Sequence, residues 1–169
     1  IHPETNCEQS PGESGLLCFR GPNIFYGYLD EIEKTNEVLT DDGWFITGDL
    51  GYTDNEGFLY IEGRLSRFSK IGGEMVPHGT VEDEVRKILD PNRDENSGLV
   101  IIGQPDESKG EQLILVIDKE INFPELRKKL TLNGIPNLWI PKKMKKIKEI
   151  PVLSTGKTDI VKLEKEIEW

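Results

Sequence analysis

Gly63-Arg64-Leu65-Ser66-Arg67-Phe68-Ser69-Lys70-Ile71-Gly72-Gly73-Glu74-Met75-Val76 lies between a readable β-hairpin and a helix, and it reads as a joint. Two adjacent glycines within alternating charge make poor strand or helix interior, because a residue without Cβ opens the backbone to conformations and close approaches that other residues forbid. The stretch therefore predicts two parts, 1–65 and 66–169, meeting near Ser66. It also predicts that something comes near the backbone at Gly72 and Gly73.

On the N-terminal side, Leu17, Phe19, Ile24, Phe25, Tyr26 and Tyr28 are interrupted by Gly21-Pro22, which predicts strands joined by a turn over 15–29. A short helix is expected over 30–39. A strand at Trp44-Phe45-Ile46 is expected to break at Thr47-Gly48-Asp49 and resume over 50–53. Asp54-Asn55-Glu56-Gly57 then turns the chain into a return strand, Phe58-Leu59-Tyr60-Ile61.

On the C-terminal side, Thr80 with Asp83 three residues on predicts a helix start. Val81, Val85, Ile88 and Leu89 fall on one face of that helix, and Asp90-Pro91 should stop it. Leu99-Val100-Ile101-Ile102 and Leu113-Ile114-Leu115-Val116-Ile117 are continuous apolar runs, as in strands covered on both faces, with a polar loop over 104–112 outside. Asn122, Pro124 and Glu125 open another helix with Leu126 and Leu130 on its buried stripe, up to Gly134. Residues 142–150 alternate as a half-buried strand. A last helix is expected from Thr158, carrying Ile160, Val161, Leu163 and Ile167. The class is α+β: a mostly β first part, then a small α/β domain with a central sheet and three helices.

Of the 169 residues, 36% are apolar and 31% charged, the balance of a globular protein. The net charge of -10 leaves no positive field to draw in a polyanion, so nucleic acid is not an expected partner. Cys7, Cys18, His2 and His78 are too few and too scattered for a disulfide framework or a zinc site, so no metal site and two reduced thiols are expected. No apolar run approaches the ~18 residues that span a bilayer, and no secretion signal is legible. Ile1-His2-Pro3-Glu4 lacks an initiator methionine and leads almost at once into a strand pattern, which suggests an excised piece of a longer protein.

Several residues could carry chemistry. Asp49, after a glycine at a strand end, could accept two hydrogen bonds from a vicinal diol such as a ribose, although an aspartate there also serves as a turn residue bonded to its own backbone. Lys157 lies in Ser154-Thr155-Gly156-Lys157-Thr158, but a phosphate-binding P-loop needs glycine where Pro151 stands. What remains is a cation on a loop that could neutralise a developing oxyanion, or a solvated surface lysine. Lys142, Lys143, Lys145, Lys146 and Lys148 could dock an acidic partner or protect a sheet edge. His78, after Pro77, is expected to be structural or capping.

Together the motifs resemble the adenylate-forming superfamily of acyl and aryl ligases and luciferases. Gly12-Glu13-Ser14-Gly15-Leu16-Leu17, Gly21-Pro22-Asn23-Ile24 and Gly27-Tyr28-Leu29 resemble the end of that family's large-domain barrel. Trp44 to Asp49 resembles its aromatic-Thr-Gly-Asp motif, Gly63-Arg64-Leu65-Ser66 its hinge, and Pro151 to Lys157 its C-terminal lysine loop. Residues 63–77 with Ile135-Pro136-Asn137-Leu138-Trp139-Ile140-Pro141-Lys142 resemble the bacterial acyl-(acyl carrier protein) synthetases, often fused to a 2-acylglycerophosphoethanolamine acyltransferase at the inner membrane.

The resemblance implies ATP and Mg2+, with the metal's site outside this stretch, and a fatty acid activated as acyl-adenylate. The phosphopantetheine thiol of acyl carrier protein, or coenzyme A, would then take the acyl group. It implies Asp49 on the ribose, Arg64 on the nucleotide, Ser66 as the pivot, Lys157 in adenylation and Gly72-Gly73 along the thiol's path. Lys142, Lys143, Lys145 and Lys146 would meet the carrier. It also implies a cytoplasmic segment of an inner-membrane parent, a role in lysophospholipid reacylation, and a fragment that does not turn over alone. The hinge position, usually Asp or Lys in the family, is Ser66, and Thr80 replaces a common glutamate while Glu82 remains. A fatty acyl-CoA ligase and a non-catalytic carrier-docking module are the competing readings.

Overall fold

The computed structural model describes residues 1–90 and 98–167. Pro91, part of the expected helix stop, and Glu168 and Trp169, at the end of the expected second part, lie outside them. The chain divides into two compact units, Ile1–Ser66 and Arg67–Trp169.

The first unit is an antiparallel sheet of β1 (Gly15–Phe19), β2 (Phe45–Thr53) and β3 (Leu59–Arg64), in that order, with a short helix α1 (Ile32–Val38). The second strand expected before residue 29 does not form. Gly21-Pro22 turns the chain into irregular backbone that leads to α1, and β1 pairs with β2 instead. Nor does Thr47-Gly48-Asp49 end its strand, because β2 runs through it. The register passes from Leu16↔Leu50 to Cys18↔Ile46, so the extra β2 residues bulge between those pairs. The hairpin turn forms as its residues dictate: Asp54 Oδ1 accepts from the N–H groups of Glu56 and Phe58, and Gly57 takes a φ of 86°. β3 continues beyond the expected Ile61 to Arg64.

The second unit is built on β6 (Leu99–Asp106) and β7 (Gly110–Ile117), antiparallel and in unbroken register from Leu99↔Ile117 to Asp106↔Gly110. Their apolar runs are continuous because both faces are covered. Leu99, Ile101, Leu113, Leu115 and Ile117 pack with Val81, Val85, Leu126 and Leu130, from helices α2 (His78–Leu89) and α3 (Phe123–Leu132). Val100, Ile102, Ile114 and Val116 pack with Ile150, which precedes the last loop, and with Leu163 and Ile167, in and just after helix α4 (Ile160–Glu166). Val161, on the same helix, is exposed. The strands extend well into the expected polar loop, leaving only 107–109 as the turn.

The joint is more regular than its composition suggests. A single 3-10 turn, Leu65–Arg67, leads into a hairpin of β4 (Phe68–Ile71) and β5 (Glu74–Pro77). Gly72 and Gly73, with φ of 60° and 89°, form its two-residue turn, where both central residues need positive φ and glycine adopts it without strain. β5 runs directly into α2 at Pro77, whose lack of an N–H suits a helix start. Thr80, expected as the cap, is therefore already inside the first turn.

Asn122 caps α3 as expected, accepting from the Glu125 N–H at 3.1 Å. The expected half-buried strand over 142–150 shortens to β8 (Lys143–Lys146), parallel to β7, and the chain then leaves the sheet. The lysine series is accordingly not one strand: Lys143, Lys145 and Lys146 lie on β8, while Lys142 and Lys148 flank it. Among the described residues three helices pack on the sheet of this unit, so the α+β class holds. Among the described residues no helix is long and apolar enough to cross a membrane.

Candidate functional site

The bulge in β2 organises the first cluster. Thr47 Oγ1 donates to Leu17 O at 2.9 Å and accepts from the Asp49 N–H at 3.0 Å, so one hydroxyl ties the bulge to β1 and sets the aspartate. Gly48, at φ 76°, supplies the left-handed step between them. Asp49 and Arg64 face each other across β2 and β3, and Arg64 Nε lies 2.8 Å from Asp49 Oδ1. Arg64 Nη1 also donates to Thr47 O at 3.3 Å. The carboxylate is about a quarter exposed (28%), and its second oxygen has no partner among the described residues. Two predicted nucleotide residues thus stand together, held by a threonine whose role sequence reading missed.

Ser66 is exposed in the 3-10 turn. The next residue is anchored firmly. Arg67 Nη1 donates to Ile101 O at 2.9 Å, and Nη2 pairs with Glu82 Oε1. Glu82 is only 8% exposed; its Oε1 accepts from the Ile101 N–H at 2.8 Å, and its Oε2 lies 3.8 Å from Arg86 Nη2. Through these groups Arg67 and Glu82 satisfy the N–H and C=O of Ile101 on the outer edge of β6, which pairs with β7 on its other side. The sequence carried a signal for this: Glu82 is four residues from His78 and three from Val85, inside the apolar stripe of α2.

His78 is buried at the start of α2, with Nε2 2.9 Å from Ser69 Oγ and no partner for Nδ1 among the described residues. Burial first, and then the Arg67 charge, push its pKa from the ordinary 6.5 down to about 3. Because the folded pKa is depressed, the unfolded chain takes up the proton first as pH falls. The contribution of His78 is thus complete above about pH 6.5 and lost between there and about pH 3, at ~1.4 kcal/mol per pH unit. Urea unfolding at stepped pH is expected to show this slope, and His78→Phe should flatten it by about one proton.

Lys157 lies in a tight exposed loop closed by a bridge between Val152 and Thr158 and by the Leu153 N–H donating to Lys157 O at 2.7 Å. No ion pair engages it among the described residues. Gly72 and Gly73 lie at the tip of the β4–β5 hairpin. The positive φ of that turn is itself a reason for two glycines, independent of any approaching ligand.

The lysines differ from one another. Lys143 Nζ donates to Gln104 Oε1 at 3.1 Å, Lys146 pairs with Glu120, and Lys142 Nζ donates to Asn137 O at 3.2 Å. Burial first, then Arg127 and Lys109, push the Lys142 ammonium to a lower pKa. Cys7 and Cys18 are free thiols, and no group of three or more His, Cys, Asp or Glu able to hold a metal occurs among the described residues.

No family model matches the chain. It is 31% identical over 153 residues to the 2-succinylbenzoate–CoA ligase of Listeria monocytogenes, which takes in 90% of this chain and 32% of the relative. It is 42% identical over 82 residues to the probable 4-coumarate–CoA ligase 2 of Dictyostelium discoideum, over 48% of this chain and 15% of the relative. Among solved structures, ATP-bound MatB from Rhodopseudomonas palustris matches with a TM-score of 0.73 at 29% identity, over 97% of this chain and 32% of that one.

These matches support the adenylate-forming acyl- and aryl-CoA ligase superfamily. A further structure of that superfamily, the o-succinylbenzoate CoA synthetase MenE from Bacillus subtilis with its acyl-adenylate intermediate, matches with a TM-score of 0.68 at 26% identity, over 96% of this chain and 32% of that one. The chain spans about a third or less of the length of these ligases.

Proposed function

We propose that this chain is the C-terminal part of an ATP-dependent acid–thiol ligase, with Ile1–Ser66 closing a large adenylation domain and Arg67–Trp169 forming a small mobile domain. The observation that carries the reading is the Asp49–Arg64 pair, which joins the bulge of β2 to the end of β3. An ionised carboxylate with one oxygen fixed by arginine and the other open can accept a ribose hydroxyl, and Arg64 places positive charge beside the nucleotide. A carboxylate oxygen of the acid attacks the α-phosphorus of ATP and displaces pyrophosphate, with Lys157 neutralising charge on the phosphoryl oxygens. After rotation at Ser66, the acceptor sulfur attacks the acyl carbonyl near Gly72-Gly73. A thioester forms, AMP leaves, and the thiol proton is released. Mg2+ finds no set of ligands among the described residues, and no residue of this chain is assigned to it.

The acid is a fatty acid and the acceptor acyl carrier protein, in a cytoplasmic segment of an inner-membrane enzyme that reacylates lysophospholipid. Support for this finer reading comes from the resemblance of 63–77 and 135–142 and from Lys143 and Lys146 exposed on β8. The relatives named above are CoA ligases, which supports coenzyme A as the competing acceptor.

In the complete enzyme, Asp49→Ala is expected to raise the KM for ATP about tenfold to a hundredfold, the scale of one or two charge-assisted hydrogen bonds. An unchanged KM overturns the nucleotide role. Supplying holo acyl carrier protein and coenzyme A together to the same enzyme then identifies the acceptor, and exclusive thioester formation on coenzyme A overturns the carrier reading.

A further inference from the structure

The Gly72-Gly73 turn is fixed on one side and open on the other. The Gly72 N–H donates to Lys109 O at 2.9 Å, and a Cβ at this position would lie 3.8 Å from Leu138 Cδ1. A Cβ at Gly73 would meet nothing within 4 Å. Glu74 pairs with Ile71 across the turn. Its carboxylate accepts from the indole N–H of Trp139 at 2.8 Å, a bond between residues 65 apart in sequence.

Trp139 is itself preset. Its backbone N–H donates to Pro136 O at 2.9 Å, its half-buried ring and Leu138 pack against the α2–α3 side of the core, and buried Ile140 follows. Lys142 N–H then donates to Leu113 O at 2.9 Å, joining this loop to the central sheet. Indole suits the task because it is a rigid ring with a single donor and no acceptor. Two loops, one carrying Lys109 and one carrying Leu138 and Trp139, therefore grip the inner side of a turn whose outer side is free.

We propose that Trp139 and Glu74 are positioning residues for the acceptor step, holding the Gly72-Gly73 backbone as a fixed rail along which a thiol-bearing arm passes. The inference rests on the ligase reading above and adds to it the pair that sets the rail. Without the indole bond the two-residue turn still forms, because its glycines suffice for the conformation, but the end of the hairpin loses its tie to the 136–140 loop. The consequence falls on transfer and not on adenylation.

The test uses three variants of the complete enzyme. Trp139→Phe keeps an aromatic ring, though a smaller one, and removes the donor, Glu74→Ala removes the acceptor, and Glu74→Gln keeps an acceptor oxygen. ATP–pyrophosphate exchange should be unchanged in all three. Acyl transfer from preformed adenylate should lose about tenfold in kcat/KM for the thiol acceptor in Trp139→Phe and Glu74→Ala, mainly through KM, as expected of one charge-assisted hydrogen bond. Glu74→Gln should recover most of the loss, and the double variant Trp139→Phe with Glu74→Ala should be no worse than Glu74→Ala alone, because both remove one interaction.

Amide exchange at Gly72, whose N–H donates to Lys109 O, should speed up in Trp139→Phe of the complete enzyme and gives a readout independent of activity. Unchanged transfer overturns the proposal, as does an equal fall in exchange and transfer, which marks general damage. A wild-type enzyme with no pyrophosphate exchange overturns the ligase reading itself and the acceptor role with it. Amide exchange then reports separately whether the indole bond holds the turn.

Discussion

Lys157→Ala is expected to lower fatty-acid-dependent ATP–pyrophosphate exchange by the complete enzyme by ~10² to 10³, the usual effect of removing one preorganised group that stabilises transition-state charge. The local structure explains why one side chain can matter so much. The bridge between Val152 and Thr158 and the hydrogen bond from Leu153 N–H to Lys157 O set the backbone at residue 157, so the ammonium leaves a defined point on the loop. No carboxylate neutralises it among the described residues, and it is exposed and able to meet an incoming phosphoryl group. Transfer of a preformed acyl-adenylate to the thiol should survive the substitution, because that step develops charge at the acyl carbonyl instead of the α-phosphate. Unchanged exchange would remove Lys157 from the chemistry and favour the carrier-docking module.

Glu82→Ala should destabilise the second unit by about 3 kcal/mol, at the lower end of the range for breaking a buried ion pair, and urea unfolding at neutral pH would measure it. Three costs combine. Arg67 loses its partner at the point where the chain leaves the joint, Arg86 loses a second contact, and the Ile101 N–H on the outer edge of β6 loses its acceptor. Asp83 on the same helix provides the contrast. It is 69% exposed and pairs with Arg86 at 3.2 Å, so Asp83→Ala should cost under about 0.5 kcal/mol. Equal effects for the two substitutions would contradict a structural role for the Arg67–Glu82 pair. The pair also bears on the rotation proposed at Ser66: Arg67 is bonded into the second unit through Glu82 and Ile101, so a pivot would have to lie on its N-terminal side.

Much of the scaffold was legible in the residues alone. The runs 99–102 and 113–117 specify strands covered on both faces because every side chain is apolar, and the turn from Asp54 to Gly57 forms through contacts among its own residues. Asn122 caps α3 for the same local reason. The superfamily resemblance was legible too, because it lies in short ordered motifs.

Only the tertiary structure decided the rest. Thr47-Gly48-Asp49 looks like a strand break, yet β1 and β3 on either side carry β2 through it as a bulge and bring Asp49 to Arg64. Gly72-Gly73 looks like loose joint, yet strand pairing on both sides makes it a tight turn. Thr80 looks like a cap, yet β5 delivers the chain into α2 at Pro77. Glu82 with Arg67, His78 with Ser69 and Trp139 with Glu74 are partners 15, 9 and 65 residues apart. Hydrophobic period and capping residues report on neighbours within a turn or a strand. Which distant polar groups share a desolvated position depends on strand register and helix docking, and those emerge only when the whole unit packs.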